Sequence, residues 1–164
     1  MTHLIFLIAM AVLAVYVVTL CIVYQGTPKS LSSTIFYLPR GGKWIWTAVI
    51  AFVAFALYPV LMNSVSERTQ IYAFLTCAGL LATAVCPMIR NTNEPAYRIH
   101  MTGAYTAAIA SQIIVAFNAW PVLAYWLAWI SAYCISTGFL RHKWQSQSFW
   151  AEITCAITIF DLIF

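Results

Sequence analysis

Apolar positions along this chain cluster into long runs and do not alternate, and polar residues are confined to short intervals between the runs. A first apolar run covers residues 4–24 and lacks a basic leader or a small-residue cleavage site, which predicts a retained helix. A second, 44–62, opens with Trp44 and Trp46, expected as interfacial aromatics, and carries Pro59 near its end. A third, 70–89, holds Gly79 and Ala82 for close helix contact and carries Cys86-Pro87 in its last turn. From Arg98 to Leu140 the chain stays apolar for about 40 residues, twice what a hydrocarbon layer of roughly 30 Å needs at 1.5 Å per residue. It must therefore fold back. Asn118-Ala119-Trp120-Pro121 is the natural break, because the residue before a proline avoids helical dihedrals and proline is tolerated at a helix start. A last run extends from about Phe149 to the end of the sequence. The pattern predicts an all-α, polytopic membrane helix bundle of six transmembrane helices, forming one domain over residues 1–164.

Composition narrows the class. The 164 residues are 63% hydrophobic and 7% charged with mean hydropathy +0.87, far too apolar for a soluble domain. Continuous runs, where a barrel would show alternating segments of about ten residues, exclude outer-membrane strands. The net charge of +4 sits at the ends of apolar runs and not on one polar face, so nucleic acid is not an expected partner. Lys29, Arg40 and Lys43 follow the first run, Arg90 and Arg98 the third, and Arg141 and Lys143 the fifth, while the opposite side has only Arg68. This asymmetry predicts that those three connections face the cytoplasm, with both termini outside a plasma (inner) membrane. The cysteines Cys21, Cys77, Cys86, Cys134 and Cys155 show no CxxC spacing and are expected as small packing residues.

The stretch 90–111 is where polar groups enter the apolar chain. On the predicted topology Ser30, Ser32 and Thr34, then Asn91, Asn93, Glu94 and His100, then Arg141, His142 and Gln145 all reach one face, with Glu152 about one turn into the last helix. Ionisable groups within a hydrocarbon-length segment are costly and invite a functional reading. His100 and Glu152, at similar depth on different helices, are the candidate catalytic pair, acting as general base or proton carrier; otherwise they form an interhelical hydrogen bond that closes the bundle. No second histidine lies three or four residues from His100, so neither a metal nor a cofactor is expected. His100, Gly103, Ala107, Ser111 and Asn118 recur near helical spacing as a packing stripe or a cavity wall. Asp161, nine residues from Glu152, lies on the other helix face and cannot share its site. Trp120, Trp126, Trp129, Trp144 and Trp150 are expected mostly in the interfacial belt.

Three features together resemble a known family: the loop Pro28, Ser30, Ser32, Thr34 after the first helix; His100 followed by Gly103 and Ala104; and Glu152 early in the last helix. The chain is similar to the six-helix membrane proteins that include damage-regulated autophagy modulators and glycosylphosphatidylinositol-lipid remodelling proteins. Two positions depart from that pattern, Ser33 where an acidic residue is usual and Ile153 where an aromatic is common. The resemblance implies a lipid-facing role in remodelling or regulation and does not specify a reaction.

The resulting expectation is a membrane protein whose cytoplasmic-side cluster engages a lipid headgroup or small ligand. Ser30, Ser32, Thr34, Asn91, Asn93 and Glu94 would surround the ligand, with Arg98, Arg141 and Lys143 on a phosphate and His100 and Glu152 beneath. Alternatives are a small transporter or pore drawing on Thr76, Thr83, Ser111, Gln112, Asn118 and Ser136, and a non-catalytic subunit of a membrane complex. Membrane lipid is the expected partner, with a homo-oligomer or another membrane protein as further possibilities.

Overall fold

The computed structural model describes residues 1–23, 25–86, 94–139 and 146–164, and no strand occurs among them. Six α-helices account for most of these residues: α1 (Thr2–Val23), α2 (Lys43–Ser64), α3 (Gln70–Val85), α4 (Pro95–Asn118), α5 (Ala124–Cys134) and α6 (Gln147–Ile163). Three of them, α1, α2 and α4, are long and apolar enough to cross a membrane. The outward surface of α1 shows why water is the wrong solvent: Leu4, Ile8, Val15, Val18 and Ile22 are all exposed along its length. This is a membrane-embedded helical protein.

Helix boundaries follow local chemistry. α3 stops at Val85, and Cys86 leaves the helical region (φ −105°, ψ 78°) because Pro87 follows it. α4 begins three residues earlier than its apolar run, since Glu94 is extended (φ −76°, ψ 142°) and Pro95 occupies the first helical position, where its missing N–H costs nothing. α2 continues through Pro59 to Ser64. The break at Asn118–Pro121 is present as a 3₁₀ turn, Trp120–Leu123, and α5 passes into a π-helical turn, Ile135–Phe139. The first connection is more ordered than its proline and glycine content suggests, with 3₁₀ turns at Ser32–Tyr37 and Arg40–Gly42.

Side-chain and ring contacts set the directions of the helices. At one end the connection after α1 bonds to the start of α6, and Thr47 at the start of α2 donates to the Ala84 carbonyl at the end of α3 (2.9 Å). At the other end Asn118, closing α4, donates to Thr69 (3.1 Å) and accepts from the Ser66 amide (3.1 Å) in the turn between α2 and α3. The ring of Phe164 also meets His3 there (centroids 5.6 Å apart). Neighbouring helices among the described residues thus alternate in direction, the last turns of α1, α3 and α5 lying at the end where α2, α4 and α6 begin.

The tightest seam joins α3 to α4. A Cβ at Gly79 would lie 2.6 Å from the Gly103 carbonyl oxygen, and one at Gly103 would lie 2.8 Å from the Gly79 oxygen. Backbone meets backbone here, which only glycine permits. The stripe Gly103, Ala107, Ser111 is buried accordingly. α5 contrasts with it, burying none of its residues.

Candidate ligand cavity

The segment after α1 is laid along the first turns of α6 by three successive bonds. Thr27 Oγ1 and Ser146 Oγ lie 2.8 Å apart. The Phe149 amide donates to the Lys29 carbonyl (3.2 Å), satisfying one of the donors that a helix N-terminus leaves without an intrahelical acceptor. The Leu31 amide donates to the Glu152 carboxylate. The capping is reciprocal: the segment supplies a carbonyl to α6, and α6 returns a carboxylate to the amide of Leu31, the residue that precedes the Ser32–Tyr37 turn.

Within that segment the motif residues divide by role. Ser30 and Ser33 close a box, the Ser33 amide donating to Ser30 Oγ (3.0 Å) and the Ser30 amide to Ser33 Oγ (3.1 Å). Ser33 thereby does with a hydroxyl what an acidic residue does in an ordinary capping box. Thr34 is fully buried, donating to the Leu31 carbonyl (2.6 Å) and bonded to Tyr16 Oη of α1 (2.9 Å). Pro28 is buried as well. Ser32 differs: it is buried, makes no side-chain hydrogen bond among the described residues, and faces a cavity.

That cavity has a volume of about 160 Å³ and lies between α1, α2, α3, α4 and α6. On α2 its wall extends from Trp46 to Leu57, about 16 Å of helix rise. Ser32, Trp46 and Glu152 define the end nearest the first connection, and Phe6, Leu57 and Ile159 the far end. Three hydroxyls along the wall, Thr76, Thr83 and Ser111, each donate to a carbonyl of their own helix (all 2.8 Å), so the middle of the cavity is effectively apolar.

Trp46 departs from its expected place in the interfacial belt. It is 1% exposed, its ring centroid lies 6.3 Å from that of Tyr16, and its indole N–H is buried with no acceptor among the described residues. Trp44, two positions earlier, is 67% exposed. The spacing Trp46, Val49, Ile50, Val53, Leu57 was the available signal, because it puts Trp46 on the buried stripe of α2 and Trp44 on the other face. Trp126 also leaves the belt, donating to Gln112 Oε1 (2.7 Å). Gln112 bonds Thr158 in turn (3.1 Å), giving α4, α5 and α6 a shared polar contact.

His100 and Glu152 do not meet in a hydrogen bond. His100 is 1% exposed, and its Nδ1 lies 2.8 Å from the Cys86 carbonyl and 3.2 Å from that of Thr83. Both acceptors are carbonyls, so Nδ1 carries the proton. The reason is the early end of α3 before Pro87: its last carbonyls lie inside the bundle, where water is scarce, and His100 and Thr47 satisfy them. Glu94 and Arg98 are exposed at the start of α4 and do not line the cavity. Asn91, Asn93 and Arg141 lie outside the described residues, as do Arg90, His142, Lys143, Trp144 and Gln145. Among the described residues no group of three or more His, Cys, Asp or Glu side chains is placed to hold a metal.

Of the residues singled out in the sequence, the structure brings Ser30, Ser32, Thr34 and Glu152 together and places His100 at a separate junction. No family model, curated protein or solved structure matches the chain.

Proposed function

We propose that the protein is a six-span membrane bundle that binds a membrane lipid, in the manner of a lipid-associated modulator or remodelling protein. The observation that carries this reading is the elongated cavity, apolar along its wall and polar at the end where Ser32 and Glu152 meet. An amphiphile has the same polarity profile.

The six-span reading draws support from the short helices as well as the three long ones. α3 alone rises about 24 Å, but the turn Glu67–Thr69 precedes it and lengthens it toward a full crossing. The segment from Trp120 to Phe139 is helical without interruption, and α6 has 17 residues. With the basic residues at the ends of the first, third and fifth spans, the polar end of the cavity lies on the cytoplasmic side of a plasma (inner) membrane and both termini lie outside. The resemblance to lipid-remodelling proteins points the same way, since Ser30, Ser32, Thr34 and Glu152 are among the residues that carry it, with Pro28, His100, Gly103 and Ala104. In this reading Glu152 and Ser32 meet the ligand, while His100 acts as a positioning residue for α3 and α4. A pore is disfavoured because the hydroxyls along the cavity wall already donate to their own helices.

Purification into nanodiscs followed by mass spectrometry of retained lipid tests the reading. The parent protein is expected to retain a lipid that Ala108→Phe, which fills the cavity, loses. Equal lipid content in the two proteins overturns it.

A further inference from the structure

A lipid held in this cavity, a premise taken from the lipid-binding reading above, has most of its length elsewhere. A cavity near 150 Å³ accepts a molecule of benzene's size, so about 160 Å³ holds roughly six heavy atoms, a short piece of one hydrocarbon chain. The remainder must leave the bundle.

Most sides of the cavity are shut. Toward the first connection Pro28, Thr34 and Ile35 are fully buried, and three bonds tie that segment to α6. At the far end Phe6, Leu57 and Ile159 are buried, and the ring of Phe6 lies against those of Phe160 and Phe164 (centroids 6.3 Å apart in both pairs). The α2 wall is buried at Trp46, Ile50, Val53 and Leu57. α3 meets α4 backbone to backbone, and Gln112 joins α4 to α6 through Thr158.

α1 and α6 are held differently. They run antiparallel and are tied at two levels: by the rings of Phe6, Phe160 and Phe164 at one, and by the bond from Leu31, in the connection that follows α1, to Glu152 at the other. Between these levels no hydrogen bond or ring contact joins the two helices among the described residues. Because Phe6 meets Phe160, four residues along each helix bring Met10 level with Ala156, about 6 Å nearer the middle of the bundle. Both line the cavity and both are only half-buried. Ala14, one turn further on that stripe of α1, is exposed. A flexible thioether therefore faces a methyl group at mid-depth, where the surroundings are hydrocarbon and not water.

We propose that the cavity opens sideways into the bilayer through a window between α1 and α6, framed by Met10 and Ala156, and that one hydrocarbon chain of a membrane lipid lies through it. The Met10 side chain is the movable edge, since an unbranched side chain with three rotatable bonds can turn aside without shifting its helix.

The test uses the full chain in phosphatidylcholine nanodiscs mixed with vesicles that carry either a phosphatidylcholine or a monoacylglycerol with a diazirine at the end of one chain. Samples are illuminated at increasing times and the labelled residues mapped by mass spectrometry. Label is expected to reach Leu13, Ile50 or Ile159 inside the cavity, and the probe that delivers it identifies the chain's carrier as a two-chain or a single-chain lipid. A helical side chain covers the turn before its own position, so Ala14→Trp lays a ring over the window and is expected to slow arrival in the cavity roughly tenfold. Val15→Trp, on the outward face of α1, is expected to leave the rate at the parent level. Met10→Ala widens the window and is expected to speed arrival roughly threefold, and decides the matter should Ala14→Trp fail to fold. Cavity labelling at the parent rate in both Ala14→Trp and Met10→Ala, or equal slowing in Val15→Trp, overturns the window while lipid binding stands. Label confined to the outer faces of the parent bundle overturns this inference and the lipid-binding reading together.

Discussion

The seam between α3 and α4 and the polar end of the cavity, where the first connection meets α6, are built from the same apolar chain, yet they use polar groups in opposite ways. In the seam polar side chains close on protein: His100 Nδ1 holds the end of α3, Thr83 donates to the Gly79 carbonyl, and glycine backbones touch without room for a methyl group. Around the cavity the first connection holds Glu152 by one amide and leaves the Ser32 hydroxyl without a hydrogen bond among the described residues. A membrane bundle gains little from burying apolar side chains, because lipid is equally apolar, so close packing and hydrogen bonds do the holding. Where they are complete the structure is closed. Where they are incomplete, a ligand can contribute.

Several variants break or sharpen this contrast. The largest effect belongs to Gly79→Ala, whose added methyl would meet the Gly103 carbonyl and the Ala107 amide at 2.6 and 2.7 Å. Overpacking against backbone is expected to cost about 3 kcal/mol, read as a lowered midpoint of denaturant unfolding in detergent micelles. A parent-like midpoint would mean the two helices are not apposed this closely.

Glu152→Leu removes the acceptor of the Leu31 amide and is expected to cost about 2 kcal/mol, whereas Glu152→Gln, which keeps a carbonyl oxygen, costs little. Limited proteolysis within 25–38 should accelerate in the leucine variant alone. Equal cleavage in both would show that the carboxyl does not anchor the first connection. His100→Ala leaves the Cys86 and Thr83 carbonyls without a donor and is expected to cost about 1–2 kcal/mol while lipid retention stays at the parent level. Lost retention at unchanged stability would return His100 to the ligand site. Arg98→Gln, on an exposed side chain, is expected to change stability by less than about 0.5 kcal/mol and leave lipid retention unaltered. A marked loss of an anionic lipid in that variant would put phosphate contacts back in the picture.

Run length and composition by themselves determined the helical class, the break before Pro121, and the small-residue contacts at Gly79 and Gly103, because these depend on local dihedral limits, side-chain size and the absence of water, while the end of α3 at Val85 was read four residues too late. They also marked Ser30, Ser32, Thr34 and Glu152 as belonging together, but within a larger set that included His100, Asn91, Asn93, Glu94, Arg98 and Arg141. The start of α4 at Pro95 was legible too, had the proline been given more weight than the end of the apolar run. Tertiary structure alone decided which polar groups meet. His100 and Glu152 share a depth, but depth leaves the direction around each helix axis free, and α3 ends beside His100 with carbonyls in need of a donor. Helical spacing separates Trp46 from Trp44 by face, and neighbouring elements decide that the face of Trp46 is the buried one. Hydrophobicity says which residues leave water, and in a membrane nearly all of them do, so the arrangement of the few polar atoms is fixed by which partners the fold brings within reach.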